Sequence, residues 1–172
     1  AKLFLIAVSV FFPIYLNTFH GIRNVDPQLI EMGRTYGLSR WQLYREVILP
    51  HVQHILQDVA KTGVPVIHFG TGTATLLELQ KEAGGTVIGV DWRTPLGAAR
   101  ARLGNDVAVQ GNLAPLLLFA PRPLLEKRVV EVLDAAGPAP GHIFNLGHGI
   151  LPETSPDSVR FVADVVHERS RR

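Results

Sequence analysis

Four short polar stretches interrupt an otherwise apolar second half of the sequence, and each carries residue types that bind or react. They are Gly70-Thr71-Gly72-Thr73, Asp91-Trp92-Arg93, Gln110-Gly111-Asn112 and Gly147-His148-Gly149. Three chemistries are open to them. A Gly-rich loop between a strand and a helix offers backbone N–H groups to a phosphate. An acid about 20 residues further on, here Asp91, suits a ribose hydroxyl, as in a dinucleotide or methyltransferase site. Thr75 stands where that pattern places its third glycine, and no acid neighbours His68 as a methyltransferase would have it. The second chemistry is a metal centre built from His68, Asp91, His142 and His148. None of these is paired at the i, i+4 spacing of a helix, and no H-E-x-x-H is present. The third, serine hydrolysis, lacks its G-x-S-x-G turn. With no Cys, disulfides, thiolate ligands and thiol nucleophiles are excluded.

The elements that must position these stretches follow from periodicity. The chain has 172 residues, 47% hydrophobic and 19% charged, which suits one domain of ordinary size and excludes a disordered or collagen-like chain. Its net charge of +2, from 17 basic and 15 acidic residues, does not make a nucleic-acid surface. The Arg169-Ser170-Arg171-Arg172 tail reads as a solvated helix end. Short apolar runs predict strands at 64–69, 86–90, 106–109 and 142–146. Helical spacing predicts helices at 51–62, 74–83, 96–103 and 122–136, and a last one from a Ser155 cap to 168. Near-continuous apolar strands alternating with helices imply a parallel sheet. All four polar stretches follow strand C-termini, where parallel α/β folds bind ligands. Four such units are half of an eight-unit barrel of roughly 250 residues.

The first 50 residues have a different character. Residues 3–22 contain no Asp, Glu, Lys or Arg, and residues 3–16 (LFLIAVSVFFPIYL) are nearly all apolar. That run is short of the roughly 20 residues a membrane helix needs, and it contains Pro13. Part of a membrane helix, a buried soluble helix and a targeting segment are the readings. The last lacks a small-residue cleavage site and a compact basic start. Residues 24–50 predict a short helix–turn–helix. Pro27 follows Asp26 as a first helical residue, Gly37 breaks the helix, and Ser39 caps a second one through Trp41, Leu43 and Val47. A DNA-binding helix-turn-helix shares this pattern, but the preceding apolar run does not suit one. With Ala1 first and Met32 the single methionine, the expectation is a piece of a longer chain.

Two family resemblances emerge from these residues. Glu31-Met32-Gly33, then Gly37, then Val47-Ile48-Leu49-Pro50 has the spacing of the cytoplasmic coupling loop of ABC importer permeases. Residues 1–50 resemble a permease of the sulfonate/nitrate/taurine type, with Met32-Gly33 in place of two alanines. The resemblance implies a membrane location through residues 3–22 and docking on an ABC ATPase. Residues 51–172 resemble the C-terminal part of uroporphyrinogen decarboxylase, through VPVIHFGTGTATLLELQKEAGG, VIGVDWRTPL, VQGNLAP and GHIFNLGHGILPETSPDSV. Ala114 departs from it, standing where that family usually has Asp.

This second resemblance implies the C-terminal half, four βα units, of a (β/α)8 TIM barrel preceded by an all-helical segment. It implies a cytoplasmic, homodimeric lyase of heme biosynthesis that decarboxylates the acetate side chains of uroporphyrinogen to give coproporphyrinogen, without metal or organic cofactor. His148 matches the family's pocket histidine and is the expected substrate-binding residue. The essential Asp, a pocket Tyr and the carboxylate-binding Arg residues of the family belong to its N-terminal part. No complete catalytic set is therefore expected in this chain, nor turnover, and Arg93 and Arg122 match none of those roles. The join between the two pieces is expected between residues 43 and 51. A natural fusion, an engineered one and a sequence-assembly error would all produce it. The two outermost strands are expected to expose unpaired edges that favour self-association.

Overall fold

The computed structural model describes residues 27–170 and divides into two compact units, residues 1–64 with 82–84, and residues 65–81 with 85–172. The apolar run at 3–16 lies outside the described residues. Among the described residues, no helix is long and apolar enough to cross a membrane.

In the first unit, α1 (Pro27–Thr35) begins at the proline that fits a first helical position. Gly37 closes it, at φ +75°. Ser39 then caps reciprocally. Its Oγ accepts from the Gln42 N–H at 3.3 Å, and its own N–H donates to Gln42 Oε1 at 3.0 Å. The helix that follows is continuous where the sequence predicts two. It runs as α2 (Arg40–Leu43), a π-helical turn (Tyr44–Ile48) and α3 (Leu49–Ala60). The reason is local. Pro50 has no N–H, and its ring crowds the carbonyl one turn back, which breaks a regular α-helix. Widening the preceding turn relieves this, and the Leu49 N–H reaches Tyr44 O, five residues back. Leu49, Val52 and Leu56 form the buried face of α3.

The second unit is a four-stranded, wholly parallel sheet of β1 (Ile67–Phe69), β2 (Val87–Gly89), β3 (Ala108–Gln110) and β4 (His142–Ile143), in that spatial order. Between β1 and β2 run a 3₁₀ turn (Ala74–Leu76) and α4 (Leu77–Ala83). Next, α5 (Leu96–Leu103) links β2 to β3. A second 3₁₀ turn (Pro115–Phe119) and α6 (Arg122–Ala136) link β3 to β4, and α7 (Pro156–Arg169) follows β4. Sequential order without reversal places every crossover helix on one face, because such crossovers share one hand. That is barrel winding, and it lacks the switch point of a dinucleotide fold.

The strands are shorter than the apolar runs suggested. Pro65 cannot donate to a ladder, and the Val66 N–H is taken by Thr86 Oγ1 at 2.9 Å rather than by a neighbouring carbonyl. Beyond Ile143 the β3–β4 pairing lapses and resumes at a single bridge, Leu113 to Leu146.

The core lies between sheet and helices. One cluster joins Ile88 and Val109 of the strands, and Val90 just after β2, to Leu77, Leu96, Ala99 and Leu103 of the helices. A second joins Leu113 and Leu118 to Leu125 and Val129 of α6 and Val162 and Val165 of α7. α7 starts as predicted, with Ser155 Oγ accepting from the Asp157 N–H.

Candidate functional site at the C-terminal ends of the strands

The loops after β1, β2, β3 and β4 are tied together around Asp91. Its side chain is buried, 1% exposed. Oδ2 accepts from the Gly72 N–H of the first loop at 2.6 Å. Oδ1 accepts from the Arg93 N–H at 2.9 Å and from Thr94 Oγ1 at 3.4 Å, and Arg93 Nη1 lies 3.3 Å from Oδ2. Burial alone would push this carboxyl up. The N–H groups of Gly72 and Arg93 and the Arg93 guanidinium outweigh it and hold the carboxyl below its usual range.

The third loop enters through Asn112. Its amide nitrogen donates to Asp91 O at 2.9 Å and to Thr94 O at 2.5 Å. Gly111 precedes it in a cis peptide, at φ +135°, and a Cβ there would sit 2.7 Å from Val90 O. The fourth loop enters through Gly147, where a Cβ would meet the Trp92 backbone N at 2.2 Å. Only glycine allows that approach, and it seats the His148 loop against Trp92. The Arg93 guanidinium lies 4.5 Å from the Trp92 ring centroid.

The four residues considered for a metal do not converge. His68 Nδ1 donates to Gln80 O at 3.0 Å, and His142 Nε2 donates to Gly111 O at 2.7 Å. Register explains their direction. His68, Ile88, Val109 and His142 form one row across the sheet, and Ile88 and Val109 belong to the helix-side core. Both histidines therefore face the helices rather than the concave side. Burial, set against the hydrogen bond to Gly111 and joined by the nearby Arg100 charge, holds His142 below the usual histidine range. Among the described residues, no group of His, Cys, Asp or Glu is arranged to hold a metal ion.

The dinucleotide reading fails on geometry as well. The Gly72 N–H that a phosphate would need is occupied by Asp91, and Asp91 is enclosed rather than aimed at a ribose.

His148 is exposed, just beyond the Leu146 bridge, and meets no hydrogen-bond partner among the described residues. Arg122 stands over Phe161 at 5.1 Å, on the helix layer. Sequence reasoning missed Asn112 as the tie between loops and Arg100 as the anchor of the segment before β4. Arg100 donates to Val107 O, Gly141 O and Pro140 O. A polar Gly-Asn pair after a strand signals the first. Nothing in the sequence marks the second.

Four parallel βα units wound in one direction, with their polar loops gathered at the strand C-termini, define half of a (β/α)8 barrel with its ligand-binding end. The fold agrees with a solved structure, a methyltransferase from Methanosarcina mazei. It matches with a TM-score of 0.67 at 17% identity over 78% of this chain and 39% of that one. A family model, Uroporphyrinogen decarboxylase (URO-D), matches residues 30–169, and the chain belongs to that family.

Three proteins named uroporphyrinogen decarboxylase illustrate the relation. That of Sorangium cellulosum is 63% identical over 74% of this chain and 37% of its own length. That of Salinispora tropica is 55% identical over 75% and 35%. That of Myxococcus xanthus is 50% identical over 81% and 40%. The aligned part of this chain thus spans little more than a third of these relatives. A second family model, Binding-protein-dependent transport system inner membrane component, matches residues 1–56.

Proposed function

We propose that the chain carries part of the substrate site of a uroporphyrinogen decarboxylase, a carboxy-lyase of heme biosynthesis acting in the cytoplasm. The supporting observation is the family match over residues 30–169, which contains all four loops of the barrel end. The chemistry protonates a pyrrole α-carbon, releases CO2 to leave an exocyclic methylene, protonates that methylene to a methyl group and removes the added proton from the α-carbon. It needs cationic or hydrogen-bonding groups on the substrate carboxylates and a carboxylate facing the pyrrole N–H groups. His148, exposed at the rim, is the residue we assign to a substrate carboxylate. The acid that would complete the set has no free counterpart among the four loops, where Asp91 is enclosed, so the chain by itself holds substrate without turning it over.

Two measurements test this. Fluorescence titration of the purified chain with uroporphyrin, the stable oxidised form of the substrate, should show saturable binding. His148→Gln should weaken it about 10-fold, the value of a hydrogen bond to a charged group. Incubation with uroporphyrinogen should yield no coproporphyrinogen. Absence of uroporphyrin binding overturns the site, and measurable coproporphyrinogen overturns the inactivity.

A second reading concerns residues 1–50. The match of residues 1–56 to a permease component favours a membrane-associated segment that docks on an ABC ATPase. Fractionation decides it. A chain recovered in membranes and released only by detergent supports that reading, and a chain soluble without detergent refutes it.

A further inference from the structure

We propose that Arg93 is a second carboxylate-binding residue at this barrel end, acting with His148 and binding an acetate carboxylate of the tetrapyrrole. The inference rests on the substrate reading above. Most charged arginines in this unit are already engaged. Arg102, Arg128, Arg160 and Arg169 each close on a glutamate or aspartate, and Arg100 is buried on backbone carbonyls.

Arg93 is different in three ways. It lies in a strand-end loop, and its side chain is 56% exposed. Its one acidic contact is long, at 3.3 Å, whereas that same Asp91 carboxylate takes shorter bonds from two backbone N–H groups. The remaining guanidinium donors, Nε and Nη2, meet no acceptor among the described residues. Asp91 and the Trp92 face hold the guanidinium in place, so little rotamer freedom remains to be lost on binding. The close approach of Gly147 to the Trp92 backbone brings the loop that carries His148 against the loop that carries Arg93. A planar fork with free donors at the barrel end that also carries the exposed His148 suits a carboxylate, which accepts two parallel N–H bonds from arginine.

The test uses the whole chain and two soluble porphyrins, the octacarboxylate uroporphyrin and the tetracarboxylate coproporphyrin, titrated by fluorescence. Arg93→Gln should weaken uroporphyrin binding about 10-fold or more. It should also shrink the preference for uroporphyrin over coproporphyrin. Arg93→Lys, which keeps the charge but loses the fork, should fall between. A merely structural role would weaken both porphyrins alike and leave the preference unchanged, which would overturn the inference. If Arg93→Gln fails to fold, the preference shown by Arg93→Lys decides. Wild-type-like binding by Arg93→Gln together with weakened binding by His148→Gln overturns the role of Arg93 and leaves the proposed function standing. Binding of neither porphyrin by the wild-type chain overturns both.

Discussion

Replacing Asp91 by alanine should loosen the barrel end by an amount that can be worked from its contacts. The carboxylate takes two short backbone bonds, from Gly72 at 2.6 Å and Arg93 at 2.9 Å. A hydrogen bond to a charged group contributes about 1.5–3 kcal/mol net. Gly72 and Arg93 are exposed enough to recover water when the carboxylate is gone, which favours the lower end. The Arg93 guanidinium, at 3.3 Å and more than half exposed, adds about 0–1 kcal/mol. The loss should be about 3 kcal/mol, or roughly 6–12 °C in melting temperature for a chain of this size. Asp91→Asn should cost nearly as much, because its amide group turns a donor toward one of the two N–H groups.

The pH dependence is a second, independent check on the same residue. The folded carboxyl titrates below its unfolded value of about 3.9. Its contribution is therefore complete above the unfolded value and is lost as pH falls through the lower, folded one. Urea unfolding followed by circular dichroism should show the gap between wild type and Asp91→Ala at pH 7, and a narrower gap at pH 3. A variant within 1 kcal/mol of wild type at pH 7 would refute the clamp, as would a gap that does not change with pH.

Three further outcomes are expected. Gly147→Ala should destabilise by about 1–3 kcal/mol through overpacking, since its Cβ would lie 2.2 Å from backbone, whereas Gly149→Ala, with nothing within 4 Å, should be near neutral in the same denaturation assay. The His142 contribution should be present above about pH 6.5 and be lost as pH falls through its depressed folded value, so acidification from pH 7.5 to 5.5 should destabilise wild type more than His142→Gln. Among the described residues β1 and β4 each lack an outer neighbour, so light scattering after size exclusion should report an oligomer or recover little soluble protein; a stable monomer at high concentration would refute the open edges.

Local signals made the helices of the second unit readable. Helices α5 and α6 match their predicted limits because glycines stop them at Gly104 and Gly137, and Pro121 and Pro123 punctuate the start of α6. Strand limits were not readable in this way. Whether Val66 pairs through a ladder or through Thr86 Oγ1 depends on a residue 20 positions away. The helix across Pro50 was hidden for a related reason. Proline signals a break, and a single π-helical turn absorbs the same conflict without one.

The site shows where such reading stops. The four polar stretches are visible as interruptions of apolar runs, but their roles depend on which way each side chain faces. In a strand of two or three residues, a one-residue shift of register reverses every direction. The observed register turns His68 and His142 toward the helices and removes them from any site on the concave side. Asp91, the one acid in the four stretches, is already enclosed by N–H groups from its own loop and the first. The exposed arginine and histidine of these stretches are Arg93 and His148, which suit carboxylates and supply no acid of their own. On the proposed function, loops that offer donors without a free acid would hold a polycarboxylate ring and leave it unchanged, which is why binding and turnover are expected to separate in this chain.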